Sequence, residues 1–152
     1  MQLPFEILVL GRPASVNDSS KKRAWKRNVR KTARLEKLLN RPIADIGKVV
    51  TGETMAKIFW FPPSNSYADV DNGVKWTIDA LNKVVFDNDK HIQRVVAHRL
   101  KDTPGSSFVV QGSNAAVLLE AIRHQTGLVN GTREFATAIK IESYSPTGGV
   151  WW

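Results

Sequence analysis

The segment at residues 54–61 (TMAKIFWF) constrains the fold more than any other part of the sequence. It is apolar on nearly both of its faces, and a Pro-Pro-Ser-Asn-Ser loop follows it. A strand with two apolar faces is typical of the interior of a sheet that is covered on both sides. The sequence therefore predicts a central strand at 54–61.

Further strands and helices are predicted on both sides of this segment. The predicted strands are 3–10, 92–99 and 134–142. Two helices are predicted at 72–84 and 114–124. A further helix is predicted to begin at the candidate caps at 18–20 and to end at Arg41-Pro42. The sequence thus predicts a single domain over 1–146 with an α/β (α+β) fold. Its mixed sheet has about four strands, with two main helices and one additional helix, and a short tail follows at 147–152.

The first predicted helix has an apolar face and a basic face. Apolar residues recur at steps of three and four, which is the spacing of one helical face; they are Trp25, Val29, Thr32, Leu35 and Leu39. The other face carries Lys22, Lys26, Arg30, Arg34 and Lys37. We expect the apolar stripe to be buried and the basic stripe to face outwards.

The positive charge of the chain is concentrated in this helix. The chain has 22 Lys and Arg against 14 Asp and Glu, a net charge of +8. Residues 21–37 carry nine of these basic residues and one acidic residue, so the rest of the chain is electrically neutral. Clustered Lys and Arg replace the counterions condensed on a phosphate backbone, which favours a nucleic-acid partner. The alternative is a solvated helix face that only aids solubility.

Several classes of protein are excluded by what the sequence lacks. It has no cysteines, which rules out disulfides, thiolate zinc sites and cysteine nucleophiles. No stretch approaches the roughly 18 apolar residues of a membrane span, and the first residues do not resemble a signal peptide. Glycine-rich dinucleotide motifs, Walker A loops and serine-hydrolase elbows are also absent. We therefore expect a cytoplasmic protein with no membrane partner.

Acidic residues stand at both ends of the second predicted helix. Asp69 and Asp71 alternate where an extended loop becomes the helix, so their carboxylates point the same way, and Lys75 follows Asp71 by one turn. Asp89 lies in a turn beyond the helix and joins them only if packing brings that turn alongside the helix start. Carboxylates suit Mg²⁺ or Mn²⁺, and such an ion beside a lysine is what phosphodiester hydrolysis needs. The alternative is that these residues are helix caps, turn residues and a surface lysine.

The order and spacing of these residues resemble the RusA family of Holliday junction resolvases. That family has a DxDN motif, a lysine four residues after the second aspartate, a D-A-L segment and a paired acidic turn. The corresponding residues are Asp69-Val70-Asp71-Asn72, Lys75, Asp79-Ala80-Leu81 and Asn88-Asp89. Residues 11–17 (GRPASVN) are similar to the family's proline-serine-asparagine loop, and the resemblance extends over about 3–100.

The resemblance implies a homodimeric, Mg²⁺-dependent endonuclease, with Mn²⁺ as a possible substitute. Such an enzyme would cut four-way DNA junctions by paired symmetric incisions in recombination and repair, and would be nucleoid-associated and of bacterial or phage origin. The implied catalytic residues are Asp69, Asp71, Lys75 and Asp89, and the three aspartates would bind the metal. On the basic helix, we expect DNA to contact Lys22, Lys26, Arg27, Arg30, Lys31 and Arg34.

Two features depart from the family pattern. The loop at 62–67 carries no basic residue where the family can be arginine-rich, which shifts the expected DNA contacts to residues 21–37. The predicted helix at 114–124 lies outside the family minimum. Two alternatives stay open: a DNA-binding protein that keeps the fold but does not cut, and a nuclease that acts on flaps or other branched DNA.

Overall fold

The computed structural model describes residues 1–13, 19–63, 70–101 and 116–146, and at residues 70 and 71 it describes the backbone only. The strands are β1 (Phe5–Leu10), β2 (Thr54–Phe61), β3 (Ile92–Arg99) and β4 (Ala136–Ser143). The helices are α1 (Ser19–Asn40), α2 (Val70–Leu81) and α3 (Ala116–Thr126), with short 3₁₀ turns at Ile43–Asp45 and Asp89–His91. The predicted fold class, a single α+β domain, is confirmed. The predicted tail at 147–152 lies outside the described residues.

Strand β2 occupies the interior of the sheet, as its two apolar faces predict. The strand order is β1-β4-β2-β3, and β2 pairs antiparallel with β4 and parallel with β3. One face of the sheet packs on α1 and α2 through Phe5, Ile58 and Ile139, which are fully buried. Helix α3 covers part of the other face through Leu118 and Ala121.

Helix α2 is the crossover between the parallel strands β2 and β3, so it runs antiparallel to both. Its start lies against the end of β2, where a Cβ added at Gly73 would be 3.0 Å from the Trp60 ring. After its end, the Asp87 N–H donates to the Val50 carbonyl, just before β2, and Ile92 pairs with Thr54. The length of α2 therefore separates the segments that precede and follow it.

Helix α2 ends at Leu81, three residues before the predicted boundary. Lys83 has a φ of 64°, a left-handed conformation that ends the helix, and its N–H donates to the Phe86 carbonyl. Leu81, Val85 and Phe86 are all fully buried. The apolar pattern thus continues past the helix because the following turn also packs into the core.

The predicted orientation of α1 is wrong in part. The buried stripe consists of Trp25, Val29, Ala33 and Lys37, whereas Leu35 and Leu39 are 43% and 76% exposed. The reason is that α1 packs along α2, where the Trp25 indole N–H donates to the Thr77 hydroxyl at 3.1 Å. Lys37, predicted on the outer face, is 5% exposed, and its ammonium donates to two backbone carbonyls.

Candidate active site and nucleic-acid interface

The start of α2 carries two of the predicted catalytic residues. Asp71 is the second residue of the helix, and Lys75 follows one turn later with an exposed side chain. Asp69 and the side chain of Asp71 lie outside the described residues. Because Asp71 and Lys75 are four residues apart in one helix, they share a face of α2.

Three lysines surround the indole of Trp76. The ammonium of Lys22 lies 3.5 Å from the ring centroid, that of Lys75 5.4 Å and that of Lys26 5.9 Å. These distances are within the range of a cation–π interaction. Lys26 also forms an ion pair with Asp79 at 3.2 Å. The predicted catalytic Lys75 on α2 therefore lies close to two cations of the basic helix α1, Lys22 and Lys26.

The role of Trp76 was not evident from the sequence, where the tryptophans are most simply interpreted as core residues. The sequence does give one indication of this role, however, because Trp76 directly follows the predicted catalytic residue Lys75. What the sequence does not show is that α1 lies alongside α2 with Lys22 and Lys26 turned towards it. That packing replaces the predicted outward orientation of these two lysines.

Asp89, the third predicted acidic residue, lies in a hydrogen-bonded turn before β3. Asp89 begins the 3₁₀ turn, is exposed, and follows Asn88, whose side chain accepts from the Lys90 N–H at 3.0 Å. The Asp87 carboxylate lies 3.5 Å from the His91 ring. Hydrogen bonds of the backbone thus fix this turn beside the start of β2.

Within one copy of the chain, Asp89 lies far from the start of α2. Asp71 and Lys75 are near the end of β2, whereas Asp89 is near its start, and the 12 residues of α2 between them span about 18 Å. In the described backbone, the turn that carries Asp89 therefore lies near the opposite end of α2 from Asp71 and Lys75.

The exposed basic surface of α1 is narrower than the sequence predicts. Arg27, Arg30, Lys31 and Arg34 are exposed, and Arg30 also donates from its Nε to the Ala80 carbonyl at 3.2 Å, whereas Lys22 and Lys26 are half-buried. An open groove of about 730 Å³ follows this surface; it is lined by Lys22, Arg23, Lys26, Arg27, Arg30, Lys31, Arg34 and Leu35. A groove lined by seven cations and no carboxylate suits a polyanion such as the DNA backbone.

Residues 10–110 match the sequence model of the family described as endodeoxyribonuclease RusA. The chain belongs to the RusA family. The match includes α1, β2, α2 and β3 and contains all four predicted catalytic residues. No curated protein matches the chain significantly.

Membership of the RusA family identifies the protein as an endodeoxyribonuclease of the Holliday junction resolvase type. RusA nucleases act on branched DNA junctions and depend on a divalent metal. The predicted donor set fits such an ion, because hard divalent cations prefer carboxylate oxygens. No helix in the described parts of this RusA chain is long and apolar enough to cross a membrane.

Proposed function

We propose that this protein is a Mg²⁺-dependent, homodimeric endonuclease that resolves four-way DNA junctions by paired symmetric incisions in recombination and repair. One observation carries the proposal: the RusA match spans the acidic motif, and the basic helix α1 packs directly on the helix that bears this motif. DNA held along α1 would therefore lie beside Asp71 and Lys75.

The proposed roles of the site residues follow from their charges. Asp69, Asp71 and Asp89 would hold the metal ion, which activates water and polarises the phosphate when it is bound. Lys75 would donate hydrogen bonds to the phosphoryl oxygens and offset the charge that develops on them. The side chain of Lys75 is exposed, so its ammonium is accessible to a bound anion.

The test of this function uses an end-labelled four-way junction and a linear duplex of the same arm sequences, each with Mg²⁺ or with EDTA. We expect nicks at symmetry-related positions on two opposed strands of the junction, in Mg²⁺ only, and none in the duplex. Cleavage of flaps without junction cleavage would assign the chain to the other class of branched-DNA nuclease. Binding without any cleavage would make it a DNA-binding protein of the same fold.

Trp76 should position Lys75 for the reaction. We expect Trp76→Leu to lower the single-turnover cleavage rate at saturating DNA roughly 2- to 30-fold, because a cation–π contact contributes about 0.5–2 kcal/mol. Trp76→Phe keeps an aromatic face and should retain most of the rate. Equal losses in the two variants, with circular dichroism spectra like that of the unsubstituted protein, would show that the aromatic face does not matter.

The exposed cations of α1 should set the salt dependence of DNA binding. Changing Arg27, Lys31 and Arg34 together to Ala should weaken junction binding in EDTA and flatten the log–log salt slope by up to about 0.9 for each phosphate that is no longer neutralised. These three side chains are exposed, so the fold should persist. The control is Lys48→Ala, which removes an exposed cation near the other end of α1. An unchanged slope in the triple variant would show that DNA does not bind to this surface.

A further inference from the structure

The side-chain amide of Gln125 joins the ends of two strands. Gln125 lies near the end of α3 and is only 3% exposed. Its Nε2 donates to the Pro62 carbonyl and to the Leu100 carbonyl, each at 2.8 Å. Pro62 directly follows β2, and Leu100 directly follows β3. One buried amide therefore holds the two parallel strands together at the point where both of them end.

These bonds replace one that the backbone cannot make. Among the described residues, the last backbone hydrogen bond between β2 and β3 runs from the Leu100 N–H to the Trp60 carbonyl at 2.7 Å. In a regular parallel ladder the next donor would be the N–H of residue 62, and its acceptor would be the Leu100 carbonyl. Residue 62 is a proline, which has no N–H. The amide of Gln125 therefore supplies the donor that the ladder lacks, and a buried carbonyl without a donor would be costly.

The same end of β2 touches the start of α2. The ring of Trp60 lies so close to α2 that a Cβ added at Gly73 would be 3.0 Å from it. A glycine inside a helix destabilises the helix relative to alanine, and the close approach of Trp60 explains why a glycine stands at this position. A displacement of the end of β2 would therefore also move the first turns of α2, which include Lys75.

Helix α3 lies outside the family match. The match covers residues 10–110, and α3 begins at Ala116. Family membership therefore does not explain what α3 contributes. Its contacts do so in part, because α3 packs on the sheet through Leu118 and binds the strand ends beside the proposed active site through Gln125.

We propose that Gln125 is a positioning residue for DNA cleavage. It holds the end of β2 and, through the contact between Trp60 and Gly73, keeps the first turns of α2 in the reactive geometry. This inference rests on the proposed function, because it takes Lys75 to act on the phosphate that is cut. Gln125 is buried, so it acts through the backbone of Pro62 and Leu100 and not by contact with DNA.

The first test compares Gln125→Met with the unsubstituted protein. Methionine is similar in length to glutamine, but it donates no hydrogen bond. We expect the single-turnover rate of junction cleavage at saturating DNA to fall roughly 10- to 100-fold, because a misplacement of about 1 Å has an effect of this size. The dissociation constant for the junction in EDTA should change by less than about twofold, since the cations of α1 are unchanged.

The matched control is Leu118→Ala, near the other end of α3. This substitution removes packing between α3 and the sheet but leaves both hydrogen bonds of Gln125 in place. Both variants should have a lower melting temperature, but Leu118→Ala should keep its cleavage rate at temperatures well below unfolding. An equal loss of rate in the two variants would show that only the stability of α3 matters, and would overturn the proposal.

Amide hydrogen exchange tests the role of Gln125 without DNA or metal. The Leu100 N–H is the donor next to the two carbonyls that Gln125 binds, so it should exchange roughly tenfold faster in Gln125→Met than in Leu118→Ala or the unsubstituted protein. If Gln125→Met does not fold, Gln125→Asn takes its place in both measurements. Its amide is one methylene shorter and cannot reach both carbonyls, so the same two changes are expected.

The outcomes separate this inference from the proposed function. Normal cleavage by the Gln125 variant overturns the positioning role and leaves the proposed function intact, whatever the exchange of the Leu100 amide. Slower cleavage with unchanged Leu100 exchange overturns it as well, because the strand ends are then held by other contacts. If the unsubstituted protein does not cleave junctions, the proposed function is wrong, and the exchange measurement still decides whether Gln125 holds the strand ends.

Discussion

Asp71→Asn should lower the rate of junction cleavage more than about a thousandfold, since a divalent ion supplies several kcal/mol of transition-state stabilisation that a weakened ligand set no longer delivers. Junction binding should be unchanged or slightly tighter, because the substitution removes one negative charge beside the phosphates. The two effects are measured separately, as single-turnover cleavage in Mg²⁺ and as a binding titration in EDTA.

The control for this variant is Glu36→Gln on α1. Glu36 accepts a hydrogen bond from Asn40 at 2.7 Å, and a glutamine oxygen can accept the same bond. Like Asp71→Asn, the Glu36→Gln variant removes one negative charge, but at a position outside the acidic motif. Its cleavage rate should therefore be unchanged. If Asp71→Asn cleaves junctions at a normal rate, and Asp69→Asn and Asp89→Asn do the same, the proposed metal site is wrong.

The strands of the fold were predictable because the positions of their apolar residues indicate which faces of each strand are buried. The bounds of β2 and β3 agree with the sequence prediction, and β2 is central as its two apolar faces indicate. The pattern alone could not locate the end of α2. The buried residues Val85 and Phe86 continue the apolar series in a turn that starts at the left-handed Lys83.

The orientation of α1 was not predictable from apolar spacing, because its packing depends on residues distant in sequence. Leu39 is 76% exposed while Lys37 is buried. A lysine can occupy such a position when its aliphatic stem packs and its ammonium finds acceptors. Here those acceptors are backbone carbonyls at positions 48 and 84, which no helical periodicity can reveal.

The sequence could place Asp71 and Lys75 in one helix, but it could not locate Asp89 relative to them. The spacing of Asp71 and Lys75 places them on one helix face, and the RusA match confirms the family. Whether Asp89 joins them depends on whether β3 runs parallel or antiparallel to β2. The parallel pairing places Asp89 near the far end of α2.

Lys37 joins α1 to the turn that leads to Asp89. Its ammonium donates to the Lys48 carbonyl at 2.6 Å and to the Val84 carbonyl at 3.0 Å. Val85 accepts from the Val50 N–H, and Asp87 donates to the Val50 carbonyl. A single buried side chain therefore ties the helix that we expect to bind DNA to the segment that carries the third proposed ligand.

Lys37→Ala should lower the free energy of unfolding by about 3 kcal/mol, because it leaves two carbonyls without their donor and removes a packed stem. Lys37→Met keeps most of the stem and removes only the donor, so its free energy of unfolding should fall by less. Urea unfolding of the three proteins measures both differences. If Lys37→Ala unfolds at the same urea concentration as the unsubstituted protein, the ammonium does not stabilise this junction of the fold.

The pH dependence of stability gives an independent check on Lys37. Desolvation lowers the pKa of its ammonium below the ordinary value, and the nearby Asp45 carboxylate opposes this in part. The unfolded chain therefore holds this proton to a higher pH than the folded chain does. The free energy of unfolding should rise as the pH increases through the interval between the lowered pKa and the ordinary one. The same titration of Lys37→Met should lack this rise, and a rise of equal size in both proteins would assign it to another group.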